Sequence, residues 1–195
     1  ARLIFTSGAD LYRYIFATQE PEIYDYIIYL CSRPGSLFSK NNIIIEEEND
    51  IIRGLILAYP ARDMIKISMQ MIKSIPGMFR ICGFKRFMQL MFRMGLNRYF
   101  PGIEHDELFI SNLAVFEEHR GRGIGSALLQ KAEDIARESH LEKLSLYVES
   151  DNHNAIRVYE NFGFINVKES FLPQKYERYN LFGFYKMVKG IETGE

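Results

Sequence analysis

The sequence contains no tryptophan, only two cysteines and no long uninterrupted apolar run among its 195 residues. Two cysteines, Cys31 and Cys82, are too few for a disulfide framework, and no Cys/His spacing is typical of a metal site. Apolar runs stay below the ~18 residues of a membrane-spanning helix, so no integral membrane segment is predicted. The net charge is −1, so the basic excess of a general nucleic-acid binder is missing and no nucleic-acid partner is expected.

Hydrophobic residues are plentiful instead, at 47% of the chain. A chain of this length buries about 70% of its unfolded surface, which suffices for one core without disulfides. We therefore expect a single domain over residues 1–195. No signal peptide is visible, so the sequence favours a cytoplasmic protein.

The most informative stretch is a strand-like run, Leu108 to Phe116, that leads through a glycine-rich turn into a helix. The turn reads Arg-Gly-Arg-Gly-Ile-Gly over residues 120–125, and helical periodicity begins at Ser126. Glycines in such a turn take positive φ and approach a ligand closely, while the first N–H groups of the helix lack internal partners. With two added arginines, the turn is typical of a phosphate or pyrophosphate site.

Spacing separates three kinds of phosphate-binding turn. A P-loop requires a Lys after its last glycine, and none follows Gly125. A dinucleotide fingerprint requires a third small apolar residue where Ser126 stands, and it belongs to a first strand–helix unit rather than to one late in the chain. The third pattern, Arg-x-x-Gly-x-Gly, is met by Arg120, Gly123 and Gly125.

That third pattern and a second one resemble the two signatures of the GNAT superfamily of N-acetyltransferases. The second runs from Asn152 to Phe164 and follows Asn-x-x-Ala-x-x-x-Tyr-x-x-x-Gly-Phe. The resemblance covers roughly residues 41–189. It implies an α/β (α+β) fold with a mixed, mostly antiparallel central sheet flanked by helices.

The resemblance also implies an activity: acetyl transfer from acetyl-CoA to a primary amine by direct attack. The acceptor stays open between small-molecule and peptide amines. The alternative is a GNAT-like module that binds CoA as a sensor or scaffold, with weak or no catalysis. A nucleotide-binding regulator would rest on the glycine turn alone, and the spacing disfavours it.

The acetyl-CoA site follows from the same resemblance. The turn would hold the pyrophosphate, and backbone groups of the preceding strand would pair with the pantetheine arm. Asn152 is expected to cap its helix and contact the cofactor. Tyr159 is the candidate general acid, unless it only packs its helix on the sheet. The expected cofactor residues are Leu113, Ala114, Val115, Arg120, Gly121, Arg122, Gly123, Ile124, Gly125, Ser126, Asn152 and Tyr159.

The general base is less clearly placed. Many family members carry a Glu at the position of Phe109, which cannot accept a proton. Glu107 lies two residues earlier, on the same face by strand alternation, and is our candidate base through a water. Glu104, His105 and Asp106 are alternatives in the same loop, and bulk water is another acceptor for the proton.

The remaining patterns predict the order of elements. Residues 1–17 are predicted as helical fragments that break at Ser7-Gly8, with Asp10 as the second cap. Because GNAT domains usually open with a strand, we expect that first strand to be missing before Arg2. Further predicted helices cover residues 22–31, 124–139 and 152–162, and predicted strands cover 42–48, 51–59, 108–116, 143–149, 164–170 and 180–188.

Residues 62–98 are predicted as a helical insertion between the third and fourth strands of the family. They hold seven of the eight methionines and carry a net charge of +7, from eight basic residues and one acid. Pro76-Gly77 is predicted to split them into two helices. We expect this insertion to form a wall of the acceptor site or a subunit contact in a homodimer. Plain packing on the core and contact with a membrane surface are the alternatives.

Overall fold

The computed structural model describes residues 1–191. Residues 192–195, the end of the predicted single domain, lie outside the described residues. Six strands form one sheet in the order β1-β2-β3-β4-β6-β5. Their bounds are β1 Ile43–Glu48, β2 Ile51–Pro60, β3 Glu107–Val115, β4 Lys143–Glu149, β5 Ile165–Phe171 and β6 Gly183–Gly190. Only β3 and β4 pair in parallel, so the predicted mixed, mostly antiparallel sheet is confirmed.

The helices flank this sheet, and the first element of the described chain is helical. Their bounds are α1 Arg2–Thr6, α2 Ala9–Phe16, α3 Glu22–Cys31, α4 Met64–Arg93, α5 Ile124–Glu138 and α6 His153–Phe162. The prediction for Asp10 is wrong, because Gly8 occupies the N-cap of α2 and Asp10 lies in the first turn. A strand missing before Arg2 stays a prediction. No helix within residues 1–191 is long and apolar enough to cross a membrane.

The hairpin of β1 and β2 follows from its turn chemistry. Asn49 and Asp50 both have positive φ, at 52° and 63°. Two central residues with positive φ give the turn type whose twist matches that of the flanking strands, and Asn and Asp tolerate this conformation. The predicted two-residue turn is confirmed.

As predicted, the insertion contains two helical segments, which α4 joins across a kink, but the predicted break at Pro76-Gly77 is wrong. The backbone leaves the helical region at Gly83, with φ 70° and ψ 170°. Pro76 removes one helical hydrogen bond, but α3 packs against the helix at this point. The Tyr29 hydroxyl donates to the Ser74 carbonyl at 3.2 Å. A Cβ at Gly77 would lie 1.8 Å from that hydroxyl, so the glycine makes room for a helix–helix contact.

Two apolar layers cover the two faces of the sheet. Helices α5 and α6 cover one, which we call the α5 face, where Leu128 and Leu129 pack with Leu108 and Leu146. Helices α1 to α4 cover the other, which we call the α4 face, where Ile27 and its neighbours pack against Leu57 and Phe109. Strand alternation explains how neighbouring residues of β3 contribute to different layers.

A bulge in β3 interrupts this alternation. Leu57 of β2 pairs with Asn112, but Ala58 pairs with Ile110, so Ser111 is an extra residue. The extra residue places Asn112 on the same face as Phe109. Pairing between β3 and β4 ends at the same point, at Ile110 and Leu146. The two strands therefore separate beyond this level and leave a gap in the middle of the sheet.

The contact between β5 and β6 generates a stability prediction. A Cβ at Gly183 would come 2.7 Å from the Ser170 carbonyl oxygen and 3.1 Å from the Phe171 Cα. Both are backbone atoms, so we expect Gly183→Ala to lower the free energy of unfolding by about 1–3 kcal/mol. Gly190→Ala, in the same strand with nothing within 4 Å, is the control and should change it by less than about 0.5 kcal/mol. Urea unfolding measures both, and equal stabilities would contradict the close approach.

Candidate functional site

A cavity of about 1460 Å³ passes through the gap between β3 and β4. The end of β3, the glycine turn and the start of α6 line one part of it, while α2 and α4 line the other. All of the predicted cofactor residues border this cavity except Arg122, which is exposed elsewhere. The fold thus brings together two motifs that lie about thirty residues apart in sequence.

The glycine turn presents free backbone donors to this cavity. Gly121 and Gly123 have φ of 73° and 77°, and a Cβ on either one would meet open space. Within the described chain, the N–H groups from Gly121 to Ser126 have no hydrogen-bond acceptor. They surround the N-terminus of α5, where the helix dipole is positive. Such a cradle fits a pyrophosphate.

The two residues before the first glycine of the turn, His119 and Arg120, differ in their contacts. Arg120 lines the cavity, and its Nε donates to the Val115 carbonyl at 3.2 Å. This bond closes the turn onto the end of β3. His119 also borders the cavity, and its Nδ1 is buried without a partner among residues 1–191.

The end of β3 offers a free strand edge to the same cavity. Leu113, Ala114 and Val115 pair with β2 on one side and line the cavity. Beyond Ile110, they have no pairing partner in β4. An extended ligand can therefore pair with β3 where β4 does not, and bind its backbone groups.

Helix α6 brings Asn152 and Tyr159 to the gap. The Asn152 Oδ1 accepts from the Ala155 N–H at 3.2 Å, which confirms the predicted cap. Tyr159 is buried, and its ring packs edge to face against the ring of Phe164, with centroids 5.8 Å apart. Burial raises the pKa of the Tyr159 hydroxyl to about 12, so it stays protonated at neutral pH.

Glu149, at the end of β4, is a candidate base that our sequence reasoning missed. It lines the cavity, and its Oε1 is buried with no partner in the part of the chain that is described. Burial raises its pKa to about 7, with further increases from the charges of Asp151 and Asp10. Strand alternation would have revealed it, because Glu149 follows Ser145 and Tyr147 on the α4 face.

Glu107, the predicted base, lies in a buried ion pair instead. Its Oε1 is 2.7 Å from the Lys186 Nζ, and its Oε2 accepts from the Ser145 hydroxyl at 2.6 Å. Glu107 does not line the cavity. Glu107 does lie on the same face of the sheet as Phe109, as strand alternation predicted. Tyr147 lies beside both residues: its ring packs against Phe109, and the charge of Glu107, together with burial, raises the pKa of the Tyr147 hydroxyl.

The alternative acids before β3 are also engaged. Lys143 contacts Glu104 at 2.7 Å and Asp106 at 2.9 Å. The hydrogen bond from Lys143 holds the pKa of Asp106 below its usual range. His105 is exposed, and none of the three lines the cavity. The structure therefore brings none of these candidates to the gap.

Asn112 is a second residue that sequence reasoning missed. It is buried at the β3 bulge, and its Nδ2 donates to the Ser7 hydroxyl at 2.6 Å and to the Tyr12 hydroxyl at 2.8 Å. The Ser111 hydroxyl donates to its Oδ1 at 3.0 Å. These bonds tie α1 and α2 to the point where β3 leaves β4, so they fix one wall of the cavity.

Comparison with known proteins decides the family. The family model described as "Acetyltransferase (GNAT) family" matches residues 16–164, more than half of the chain. The chain belongs to the GNAT family. Within the solved structures, an N-acetyltransferase from Staphylococcus aureus Mu50 is similar over 96% of this GNAT chain and 91% of its own, with a TM-score of 0.69 and 19% identity. That likeness shows the fold.

Curated relatives match a shorter part of this GNAT protein. N-alpha-acetyltransferase 30 of Saccharomyces cerevisiae is 36% identical over 63 residues, which are 32% of this chain and 36% of the relative. Mycothiol acetyltransferase of Corynebacterium aurimucosum is 40% identical over 63 residues, which are 32% of this chain and 20% of the relative. The chain thus spans a fifth to about a third of the length of these curated relatives.

Acetyl-CoA is the acyl donor of the GNAT family, and the site of this member fits it. The unpartnered amides at the turn suit the two phosphates, and the free edge of β3 suits an extended pantetheine arm. Open space at Gly121 and Gly123 allows the ligand to approach the backbone closely. The GNAT insertion forms the opposite wall of the cavity through α4, for example at Met71 and Met78.

The buried carboxyl of Glu149 makes stability depend on pH. Its pKa is about 7 in the folded protein and ~4.3 in an unfolded chain. The folded state therefore holds the proton more tightly, and stability is lost as pH rises from the lower value to the higher one. We expect Glu149→Gln to raise the free energy of unfolding by up to about 4 kcal/mol near pH 8, with almost no effect near pH 4.

Urea unfolding across this pH range measures the effect. The control is Glu160→Gln, an exposed carboxylate on α6, which should show no such difference between the two pH values. A Glu149→Gln effect that is the same at both pH values would contradict a raised pKa.

Proposed function

We propose that this GNAT protein is an N-acetyltransferase that transfers an acetyl group from acetyl-CoA to a primary amine of a small-molecule or peptide acceptor. The observation that carries the proposal is the set of unpartnered backbone amides from Gly121 to Ser126, next to the gap between β3 and β4. A cytoplasmic location and a homodimer, both expected from the sequence, stay predictions.

The chain's own groups account for the binding of the donor. Residues 120–126 would hold the pyrophosphate, Leu113 to Val115 the pantetheine arm, and Asn152 the same arm from α6. Each hydrogen bond to a charged oxygen contributes on the order of 1.5–3 kcal/mol. Several such bonds at the turn would therefore dominate the affinity for the donor.

When bound, acetyl-CoA supplies a thioester carbonyl that an unprotonated amine attacks, giving an acetamide and the CoA thiolate. We assign the proton removed from the amine to Glu149 rather than to Glu107. The Glu107 carboxylate is paired with Lys186 away from the cavity, whereas the Glu149 Oε1 has no partner in the described chain. A pKa of about 7 also makes Glu149 a stronger base than an ordinary glutamate.

Tyr159 would act on the leaving thiolate from the other side of the gap. It packs in the layer of the α5 face, whereas Glu149 lies on the α4 face. A neutral phenol can donate a hydrogen bond to a developing thiolate, and its high pKa keeps that proton in place until then. Acid and base therefore lie on opposite sides of the position where the bonds change.

The alternative reading was a CoA-binding module without catalysis, and its main support was the absence of a Glu at position 109. Glu149 removes that support, because it places a free carboxylate at the same cavity from the neighbouring strand. Release of free thiol from acetyl-CoA with a panel of amines tests the proposed function. Binding of CoA without thiol release for any amine would favour the non-catalytic module.

The first functional prediction concerns the turn. Gly123→Val adds a branched side chain at positive φ between the amides and the ligand, so CoA affinity should fall at least about tenfold. The control is Gly83→Val, which is also at positive φ with open space, but in α4. Titration calorimetry with CoA measures both, and unchanged affinity in a folded Gly123→Val protein would refute the pyrophosphate assignment.

The second concerns the acid. Tyr159→Phe keeps the ring contact with Phe164 and removes only the hydroxyl. We expect kcat to fall roughly 10²-fold while CoA affinity barely changes. Steady-state kinetics and calorimetry give the two values. Equal kcat in the variant would return Tyr159 to a packing role.

The third separates the two candidate bases. Glu149→Gln should lower kcat/KM roughly 10²-fold or more and remove the rise of the rate with pH near 7. Glu107→Gln should instead reduce stability, because it leaves Lys186 buried with a weaker partner. The pH–rate profile of each variant is the measurement. A profile altered only in Glu107→Gln would reverse the assignment.

A further inference from the structure

We infer that the acceptor is a monoamine with an elongated apolar body, and that this body binds between α2, α4 and the sheet. The inference deepens the proposed function and rests on it. It concerns the part of the cavity on the α4 face, which we call the apolar chamber. The chamber is the half of the cavity that the donor-binding residues leave free.

The walls of the chamber are mainly apolar. Its lining includes Leu11, Ile15 and Phe16 of α2 together with Met71, Ile75 and Met78 of α4. Flexible methionines adapt to irregular apolar ligands. The whole cavity, at about 1460 Å³, exceeds the usual ~300–1,000 Å³ of a small-molecule site, so it has room beyond a single compact substrate.

Most polar side chains of the chamber already form hydrogen bonds within the protein. The hydroxyls of Thr6, Ser7 and Ser74 each donate to a carbonyl of their own helix. The Asn112 amide bonds to side chains of α1 and α2 and to Ser111. A peptide backbone entering the chamber would find few free partners for its own N–H and C=O groups. An apolar chain requires none.

Charge limits the acceptor to one ammonium. Glu149 is the only carboxylate among the described residues that line the cavity. A second ammonium deeper in the chamber would be buried without a counter-ion. The insertion around the chamber also carries a net charge of +7 over residues 62–98, which repels polycations. Polyamines therefore fit this site poorly.

The position of Glu149 assigns the chamber to the acceptor rather than to a long acyl group on the donor. The base must lie next to the amine, and Glu149 is on the α4 face with the chamber. The chamber also opens at α4, because Ile72 and Met91 line it while remaining 63% and 43% exposed. An acceptor can enter there and lay its chain along α4 with the amine at the gap.

The first experiment measures binding and turnover of linear alkylamines. Butylamine, hexylamine and octylamine are titrated into the CoA-bound protein by calorimetry and then assayed with acetyl-CoA. Each added methylene should raise affinity and kcat/KM by up to about fourfold, the limit for complete burial. Octylamine should exceed 1,8-diaminooctane, which has the same length and a second ammonium, by at least roughly tenfold.

Two results would overturn the inference. One is binding and turnover that do not depend on chain length, or a diamine equal to octylamine. The other is a rate with ethylamine that rises along acetyl-, hexanoyl- and decanoyl-CoA while alkylamine length has no effect, since the chamber would then hold the acyl chain. If octylamine binds tightly but no amine is acetylated, the proposed function fails while the assigned ligand class stands.

A charge variant tests the role of the chamber directly. Ile75→Glu places a second carboxylate on its wall, at a residue that is 37% exposed and therefore tolerant of charge. It should shift the preference from octylamine towards 1,8-diaminooctane by at least roughly tenfold. Ile65→Glu is the control, on the same helix, 76% exposed and away from the cavity, and it should keep the original preference. An equal shift in both variants would contradict the inference.

Discussion

The separation of β3 from β4 is the constraint on which the rest of the site depends. Pairing stops at Ile110 and Leu146, where Ser111 forms a bulge against β2. Asn112 holds the bulge through hydrogen bonds to α1 and α2. Because β3 has no partner on that side afterwards, its backbone is free for a ligand, and the two faces of the sheet become connected.

This connection would let the proposed acid and the proposed base act on one reaction from opposite sides. Tyr159 approaches from the layer of α5 and α6, and Glu149 from the layer that α4 covers. Both have pKa values raised by burial, with opposite consequences. Burial keeps the phenol protonated and therefore able to donate, whereas it brings the carboxyl to a pKa near neutrality and therefore makes it a better base.

The contrast between Glu107 and Glu149 shows why strand alternation alone could not choose between the two candidate bases. The two carboxylates lie on the same face of neighbouring parallel strands, and strand alternation predicts that placement for both. Their partners differ, because Lys186 of β6 neutralises Glu107 at 2.7 Å while the Glu149 Oε1 has no partner in the described chain. That difference depends on which residue of a distant strand lies opposite, which no local pattern contains.

The sequence by itself determined the features that depend on a few neighbouring residues. These are the Asn49-Asp50 hairpin turn, the glycine turn at the start of α5 and the Asn152 cap. Only the tertiary structure decided the kink at Gly83 rather than at Pro76, because α3 supports the helix where its own sequence would break it. The cavity and the carboxylate of Glu149, the only one among the described residues that line it, were decided in the same way, since they arise where segments far apart in the chain pack together.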